Sequence, residues 1–218
     1  MPQLIVNEIF HSIQGESTWA GVPMVFVRLT GCPLRCTWCD TTYSFHEGRA
    51  RSFDEVLAEV AAFGCRTVEV TGGEPLAQQA CYSFLATLAD AGYTVLLETA
   101  GSHDLAPLDP RVHAIMDLKC PGSGEERRNR WANLEHLKPE RDELKFVIAD
   151  RADYEWAKAQ VASHELGRRV KAILFSPVFG KLEYETLSRW MLDDRLPPPV
   201  RFQVQMHKHI WHPSTRGV

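Results

Sequence analysis

The 218-residue sequence predicts an α/β fold arranged as a partial, incomplete TIM-like β/α barrel. Short runs rich in β-branched and aromatic residues alternate with segments of helical periodicity, which is typical of a parallel sheet with right-handed crossovers. Six or seven such runs are too few for a closed eight-stranded barrel. Because the length suits one sizeable core, we expect residues 1–218 to form a single domain.

The predicted strands are all short and dominated by residues that favour buried sheets. They are Met24–Leu29, Thr67–Thr71, Thr94–Glu98, Val112–Leu118, Glu143–Ile148, Val170–Phe175 and Val200–Val204. The predicted helices lie between most of these strands and have recognisable start or stop signals, such as the capping box of Ser52 and Glu55. They are Ser52–Phe63, Leu76–Ala91, a helix beginning at Asp150, and Glu183–Leu192.

The charge balance gives no general attraction to nucleic acid or to anionic membranes, because 24 basic residues face 28 acidic ones. The local basic segment Arg127–Arg130 is interpreted as the solvated face of a helix. Residues 1–8 lack the features of a secretory signal, and no apolar run approaches the roughly 20 residues of a membrane span. We therefore expect a cytoplasmic protein with neither nucleic acid nor membrane as a partner.

Three of the six cysteines lie within eight residues, in the order C-x3-C-x2-C, in the loop after the strand Met24–Leu29. They are Cys32, Cys36 and Cys39. A [4Fe–4S] cluster held by three thiolates leaves one iron open to an exogenous ligand. Zinc is an alternative, since His46 or a distant cysteine could complete a four-ligand site.

A second motif, Thr71–Pro75, joins a predicted strand to a predicted helix. Its two glycines let the backbone approach a ligand closely, and Glu74 can accept hydrogen bonds from an ammonium group. A tight βα turn with Pro75 at the first helical position explains the same residues without a ligand.

These two motifs, with Trp38 just before the last cysteine, resemble the signature of the radical S-adenosylmethionine (SAM) superfamily. The resemblance implies that the three cysteines hold a [4Fe–4S] cluster whose open iron chelates SAM. The segment Met116–Ser123 resembles a central SAM-contacting segment. Phe175–Val178, which follows another predicted strand, either closes over the adenine of SAM or forms only core and turn. The implied SAM-binding residues are Trp38, Cys39, Asp40, Gly73, Glu74, Asp117, Leu118, Lys119 and Ser176.

Nearly the whole chain resembles the 7-carboxy-7-deazaguanine synthase (QueE) family. The segments that carry this resemblance are Val6–Glu16, Phe26–Leu29, Cys39–Thr41 and Gln205–Lys208. It implies 6-carboxy-5,6,7,8-tetrahydropterin as substrate and Thr41 as a ligand of Mg²⁺. The implied substrate-binding residues are Ile13, Gln14, Gly15, Glu16, Arg28, Thr71 and His207.

The chemistry of some of these side chains agrees with a pterin acid. Arg28 offers a planar fork to a carboxylate, and Gln14 and Glu16 can match an aminopyrimidinone edge. One threonine is a poor solitary ligand for Mg²⁺, so the substrate would have to supply further oxygens. The segment Ser214–Val218 extends beyond the point where some relatives end, and the sequence assigns it no role.

The resemblance further implies a lyase reaction in which a 5′-deoxyadenosyl radical acts on the pterin, the ring contracts with loss of ammonia, and SAM is regenerated. It implies a flavodoxin- or ferredoxin-like electron donor and a homodimer. Two alternatives stay open. One is another radical SAM enzyme, such as a glycyl-radical activase, and the other is a non-catalytic zinc-binding module.

Overall fold

The computed structural model describes residues 2–218, so Met1, the first residue of the predicted domain, lies outside the described residues. The strands are β1 Gln3–Ile13, β2 Pro23–Leu29, β3 Arg49–Ser52, β4 Thr67–Gly72, β5 Thr94–Thr99, β6 His113–Asp117, β7 Glu143–Ile148, β8 Ala172–Pro177 and β9 Val200–Phe202. The helices are α1 Phe53–Ala62, α2 Ala80–Asp90, α3 Arg151–Ser163, α4 Tyr184–Asp193 and α5 His207–Ile210.

All described strands belong to one nine-stranded sheet in the order β3-β1-β2-β4-β5-β6-β7-β8-β9. From β2 to β9 every neighbouring pair is parallel, and these seven strands correspond to the seven predicted from the sequence. The antiparallel strands β1 and β3 extend the β2 edge. Because β3 and β9 are not paired with each other, the sheet stays open and the predicted partial barrel is confirmed.

The alternation of strand and helix is less regular than predicted. Helices α2, α3 and α4 connect β4 to β5, β7 to β8 and β8 to β9, but only loops and short 3-10 turns connect β5 to β6 and β6 to β7. The predicted helix at Leu76 begins instead with a 3-10 turn, Pro75–Ala77, and becomes α-helical at Ala80. Ser52 and Glu55 do form the predicted capping box at the start of α1.

The basic segment Arg127–Arg130 is solvated as interpreted, but part of it lies on a short 3-10 turn and none of it on an α-helix. Its only helical part is the 3-10 turn Glu126–Arg128. The side chain of Asn129 bonds back to the backbone of Lys119, accepting from its N–H at 2.8 Å and donating to its carbonyl at 2.9 Å. This bridge closes the segment into a compact loop, so the helix cannot continue.

The two faces of the sheet differ in chemistry because strand residues point alternately to opposite sides. In β4, Val68 and Val70 face the convex side and pack with the helices, whereas Glu69 and Thr71 face the concave side. A small apolar cluster forms the floor of the concave side. It comprises Phe10, Met24, Phe26, Leu96 and Ile115, with Trp19 and Val22 against it. The polar positions above this floor line the candidate site.

Within residues 2–218, no helix combines the length and the apolar composition needed to cross a lipid bilayer.

Candidate active site

A cavity of about 470 Å³ opens on the concave side, toward the carboxyl ends of the parallel strands. This is where parallel α/β folds build their sites, because the loops after the strands converge there. All of the predicted site residues line this cavity except Glu74, Leu118 and Ser176. The lining members are Ile13, Gln14, Gly15, Glu16, Arg28, Cys32, Cys36, Trp38, Cys39, Asp40, Thr41, Thr71, Gly73, Asp117, Lys119 and His207.

The cysteine loop, residues 30–41, follows β2 and is fixed by neighbouring loops. Thr37 N donates to the carbonyl of Ser123 at 3.0 Å, and Cys39 N donates to the carbonyl of Cys36 at 3.2 Å. The thiols of Cys32, Cys36 and Cys39 are all free and partly exposed. The fold therefore presents the three thiols on one wall of the cavity.

The environment of two of these thiols, Cys32 and Cys36, favours the protonated form before metal binds. Burial raises the pKa of Cys32, and it raises the pKa of Cys36 to about 11, although the cation of Lys119 opposes that rise. Metal binding must therefore displace protons.

The glycine turn after β4 passes unusually close to the cysteine loop. A Cβ added to Gly73 would lie 2.4 Å from the carbonyl oxygen of Gly31 and 2.6 Å from Cβ of Cys32. Gly72 has a φ of +153°, and a Cβ added to it would lie 2.3 Å from the carbonyl oxygen of Leu29. Only residues without a side chain permit this approach, so the turn and the thiols share one wall of the cavity.

Glu74 lies behind that wall rather than on it, fully buried. Its Oε1 accepts from Leu76 N at 3.0 Å, and its Oε2 accepts from Ala100 N at 2.7 Å. The hydroxyl of Thr99 lies within 2.9 Å of both oxygens. The carboxylate thus links the end of β4 to the end of β5, and it does not line the cavity.

The predicted SAM-binding residues at the end of β6 lie on opposite sides of the sheet. Asp117 and Lys119 line the cavity, with Lys119 Nζ 2.8 Å from Asp117 Oδ2. The other carboxylate oxygen of Asp117 is buried without a hydrogen-bond partner. Leu118 points into the apolar core on the convex side because strand residues alternate. Ser176 of β8 is buried and does not line the cavity.

A buried ion-pair network lies across the centre of the cavity. Lys145 Nζ on β7 donates to Glu16 at 2.7 Å and to Glu98 on β5, and it lies 3.8 Å from Asp117. Burial alone would raise the pKa of Glu16, but Lys145 and His207 outweigh that effect and hold it at about 2. One lysine therefore organises carboxylates from three separate elements.

The loop after β1 meets the C-terminal segment beside this network. Gly15 accepts from Met206 N at 2.9 Å, and Glu16 accepts from Gln205 Nε2 at 2.8 Å. A Cβ on Gly15 would lie 2.1 Å from Nδ1 of His207, so glycine is required there. Burial lowers the pKa of His207, although the carboxylate of Glu16 lies near and acts in the opposite direction.

Arg28 on β2 is held from behind so that its fork faces the cavity. Its Nε donates to Glu8 Oε1 at 2.7 Å, and the Tyr43 hydroxyl donates to the same oxygen at 2.9 Å. Its guanidinium carbon lies 5.6 Å from the ring centre of Phe10 and 5.9 Å from that of Tyr43. The terminal amino groups of Arg28 remain available for a planar anion.

Comparison with known proteins agrees with this geometry. The sequence profile described as the Radical SAM superfamily matches residues 26–120. A 7-carboxy-7-deazaguanine synthase of Chlorobaculum tepidum is 51% identical over 99% of this chain and 97% of its own length. Another, of Koribacter versatilis, is 45% identical over 98% of this chain and 99% of its own.

The chain belongs to the 7-carboxy-7-deazaguanine synthase family. The crystal structure of QueE from Escherichia coli has the same fold, with a TM-score of 0.77 and 24% identity over 94% of this chain and 95% of that one. Membership in the radical SAM superfamily implies a [4Fe–4S] cluster and SAM as cofactors, and the three cysteines on one wall suit such a cluster. Neither the zinc module nor a different radical SAM enzyme is favoured.

The fold places on the cavity lining a set of polar residues that were not predicted from the sequence. Glu69, Glu98 and Lys145 lie inside strands of a parallel sheet, whose buried strands are usually continuous apolar runs. A charged residue alternating with apolar ones in such a strand was the available signal. Burial and the nearby Glu98 raise the pKa of Glu69 well above its usual range, and Glu69 accepts a hydrogen bond from Gln14.

The C-terminal segment also reaches the site. Val218 lines the cavity. Arg216 pairs with Glu47 at 2.8 Å, and its guanidinium carbon lies 3.8 Å from the ring centre of Tyr43. Lys208 pairs with Asp40 of the cysteine loop at 2.6 Å. The segment therefore lies over the mouth between β1 and the cysteine loop.

Proposed function

We propose that this chain is a radical SAM lyase that converts 6-carboxy-5,6,7,8-tetrahydropterin into 7-carboxy-7-deazaguanine with release of ammonia, a step of queuosine and deazapurine biosynthesis. One observation carries the proposal. A single cavity is lined by the three cysteines and Gly73 on one wall and by Gln14, Glu16 and Arg28 on another. Cofactor and pterin acid would thus meet in one space.

Cys32, Cys36 and Cys39 would hold the cluster, and Gly73 leaves room for the amino-acid end of SAM beside them. The buried, unpartnered oxygen of Asp117 can accept a hydrogen bond from a ribose hydroxyl, with Lys119 holding its other oxygen. When bound, the cluster and SAM supply a 5′-deoxyadenosyl radical. The remaining predicted contacts, Trp38, Asp40, Glu74, Leu118 and Ser176, stay predictions. The hydrogen bonds that Glu74 accepts from Leu76 N and Ala100 N support a further role in shaping the wall beside SAM.

On the substrate side, Arg28 would bind the pterin carboxylate in a bidentate pair. The aminopyrimidinone edge presents both donors and acceptors, which suits Gln14, the backbone at Gly15, and Glu16. Lys145 keeps Glu16 ionised and therefore able to accept from ring N–H groups. Ile13, Thr71 and His207 are the further proposed contacts.

Thr41 is the proposed protein ligand of Mg²⁺. Its hydroxyl lies 3.8 Å from the sulfur of Cys39, on the cavity lining between the cysteine loop and the turn that carries Tyr43. Mg²⁺ prefers six oxygen ligands and keeps several waters. One hydroxyl and the substrate carboxylate would therefore supply some of the six oxygens, and water the others. The metal would orient the pterin and stabilise negative charge as the ring contracts.

The proposal includes a flavodoxin- or ferredoxin-like electron donor, a homodimer and a cytoplasmic location. It also treats residues 1–218 as one radical SAM domain, which is supported by the single sheet through the described residues. Light scattering of the purified protein would test the dimer.

The decisive experiment is anaerobic reconstitution followed by incubation with SAM, reductant, Mg²⁺ and the pterin acid. Product with the mass of 7-carboxy-7-deazaguanine is expected, formed as the pterin acid is consumed. An intact cluster that cleaves SAM but yields no such product would refute the substrate assignment. About one zinc per chain and no iron–sulfur absorbance would refute the cofactor assignment as well.

A further inference from the structure

Glu69 is an acidic side chain on the cavity floor to which the proposed reaction gives no role. It lies on β4 and lines the cavity, yet only 1% of its surface is exposed. Its neighbours across the sheet are Phe26 on β2 and Leu96 on β5, which both belong to the apolar floor. A carboxyl group is thus set into an apolar layer beneath the substrate space.

Glu69 has no cation of its own to balance a negative charge. Within residues 2–218 no basic side chain forms an ion pair with it, whereas the carboxylates of Glu16 and Glu98 share Lys145. Burial is the largest cause that raises the pKa of Glu69 well above its usual range. The negative charges of Glu98 and Glu16 act in the same direction, and the charge of Lys145 opposes them.

Arg28 on the neighbouring strand does not supply the missing charge. It lies opposite Thr71, one concave-side position further along, and its Nε donates to Glu8 at 2.7 Å. A buried carboxylate without a cation is costly, because it loses its hydration and gains no compensating charge. The neutral carboxylic acid is therefore the form of Glu69 that suits this position.

The hydrogen bonds of Gln14 fix which atoms of this carboxyl group remain free. Gln14 Oε1 accepts from Glu16 N at 2.9 Å, which sets the orientation of the amide. Gln14 Nε2 then donates to Glu69 Oε2. Within residues 2–218 this is the only hydrogen bond that the Glu69 carboxyl group forms, so its Oε1 is left for a ligand in the cavity.

We propose that Glu69 is a specificity-determining residue that binds the substrate as a hydrogen-bond donor. Its Oε2 holds the amide of Gln14, and the O–H of Oε1 is donated to an acceptor of the aminopyrimidinone, a ring nitrogen or the carbonyl oxygen. The inference rests on the proposed function, because it takes the pterin acid as the ligand. Glu16, kept ionised by Lys145, accepts from ring N–H groups, so two carboxyl groups in opposite protonation states bind opposite partners.

The test makes the same chemical change at the two carboxyl groups. Glu69→Gln and Glu16→Gln are each introduced into the full chain, and the iron–sulfur cluster is reconstituted. Binding of 6-carboxypterin is then measured by its fluorescence. This compound keeps the carboxylate and the aminopyrimidinone of the substrate, so binding is measured without turnover. A third variant, Glu69→Leu, has a side chain of similar size and can form neither hydrogen bond.

We expect Glu69→Gln to bind 6-carboxypterin within about threefold of wild type, because glutamine also presents one acceptor and one donor. Glu16→Gln should weaken binding about tenfold or more, since it places a donor against ring N–H groups. Glu69→Leu should raise KM for the pterin acid about tenfold and change kcat less than about threefold. A loss in Glu69→Gln as large as that in Glu16→Gln, or an unchanged KM in Glu69→Leu, would overturn the proposal.

An infrared measurement tests the protonation of Glu69 without a ligand. The difference spectrum between wild type and Glu69→Gln at neutral pH should contain the carbonyl stretch of a protonated carboxylic acid. A carboxylate stretch in its place would overturn the proposal. Circular dichroism shows whether each variant folds, and if Glu69→Leu does not, the two glutamine variants and the infrared band decide.

The outcomes separate this inference from the proposed function. Absence of the deazaguanine product in the wild-type chain would refute the function. The infrared band needs neither substrate nor turnover, so it tests the neutral form of Glu69 by itself.

Discussion

Replacing Glu74 by Gln tests whether this residue supports the SAM wall or contacts SAM directly. Each carboxylate oxygen accepts one backbone N–H, from Leu76 at 3.0 Å and from Ala100 at 2.7 Å. Glutamine keeps the size and shape of the side chain but turns one acceptor into an NH₂ donor. One of the two backbone amides must then face a donor.

The magnitude follows from this single mismatch. The Thr99 hydroxyl can turn to the remaining oxygen, so its hydrogen bond is kept. One buried N–H is left without an acceptor, which costs about 1–3 kcal/mol, and the bond itself is also lost. We therefore expect Glu74→Gln to lower the free energy of unfolding by about 2–3 kcal/mol, a large part of the roughly 5–15 kcal/mol typical of a domain.

The assay is urea unfolding of the cofactor-free chain under reducing conditions, followed by tryptophan fluorescence and circular dichroism. The matched control is Glu185→Gln on α4, where the side chain is 82% exposed and pairs only with Arg189. This control should change stability by less than about 0.5 kcal/mol. A normal unfolding midpoint for Glu74→Gln, with SAM affinity alone reduced, would refute the supporting role and favour direct contact.

Four further outcomes are expected. Cys36→Ala should abolish the iron–sulfur absorbance and all turnover, while Cys65→Ala, remote from the site, should retain both. Burial raises the pKa of Cys36 to about 11, so its thiolate fraction grows about tenfold per pH unit below that value. Cluster assembly, monitored by its absorbance, should therefore be faster at pH 9 than at pH 7. A pH-independent rate would contradict this. Thr41→Ala should keep the cluster but lose the stimulation by added Mg²⁺, and full retention of that stimulation would exclude Thr41 as its ligand. Glu8→Gln should raise KM for the pterin acid about threefold to tenfold with a smaller change in kcat, because the anion that orients Arg28 is lost, and an unchanged KM would contradict this.

The seven parallel strands could be predicted because each is a short run rich in β-branched and aromatic residues, which is a local property of the sequence. The antiparallel strand β3, Arg49–Ser52, could not, since two arginines in four residues give no strand signal. It forms because its backbone pairs with β1 at the sheet edge. The short 3-10 turn at the basic segment Arg127–Arg130 could not be predicted for a similar reason, because Asn129 finds its hydrogen-bond partners at Lys119.

For the site, the order and spacing of the cysteines and of the glycine turn pointed to the cofactors, because such ligands need particular residue types close together along the chain. Spacing cannot say which side of a strand a residue faces once pairing is unknown. Leu118 and Glu74 stay predicted SAM contacts, but only tertiary packing could show that the side chain of the first lies in the core and that the carboxylate of the second is hydrogen-bonded to Ala100 N.

The sequence by itself thus determined the fold class, the family resemblance and the motif residues of the cluster site, since these depend on local pattern and residue chemistry. Only the tertiary structure brought Lys145, Glu98 and Glu16 together. Charged groups far apart in sequence acquire their pKa values and their partners from distances of a few ångströms. Those distances exist only once the sheet has curved and its loops have met.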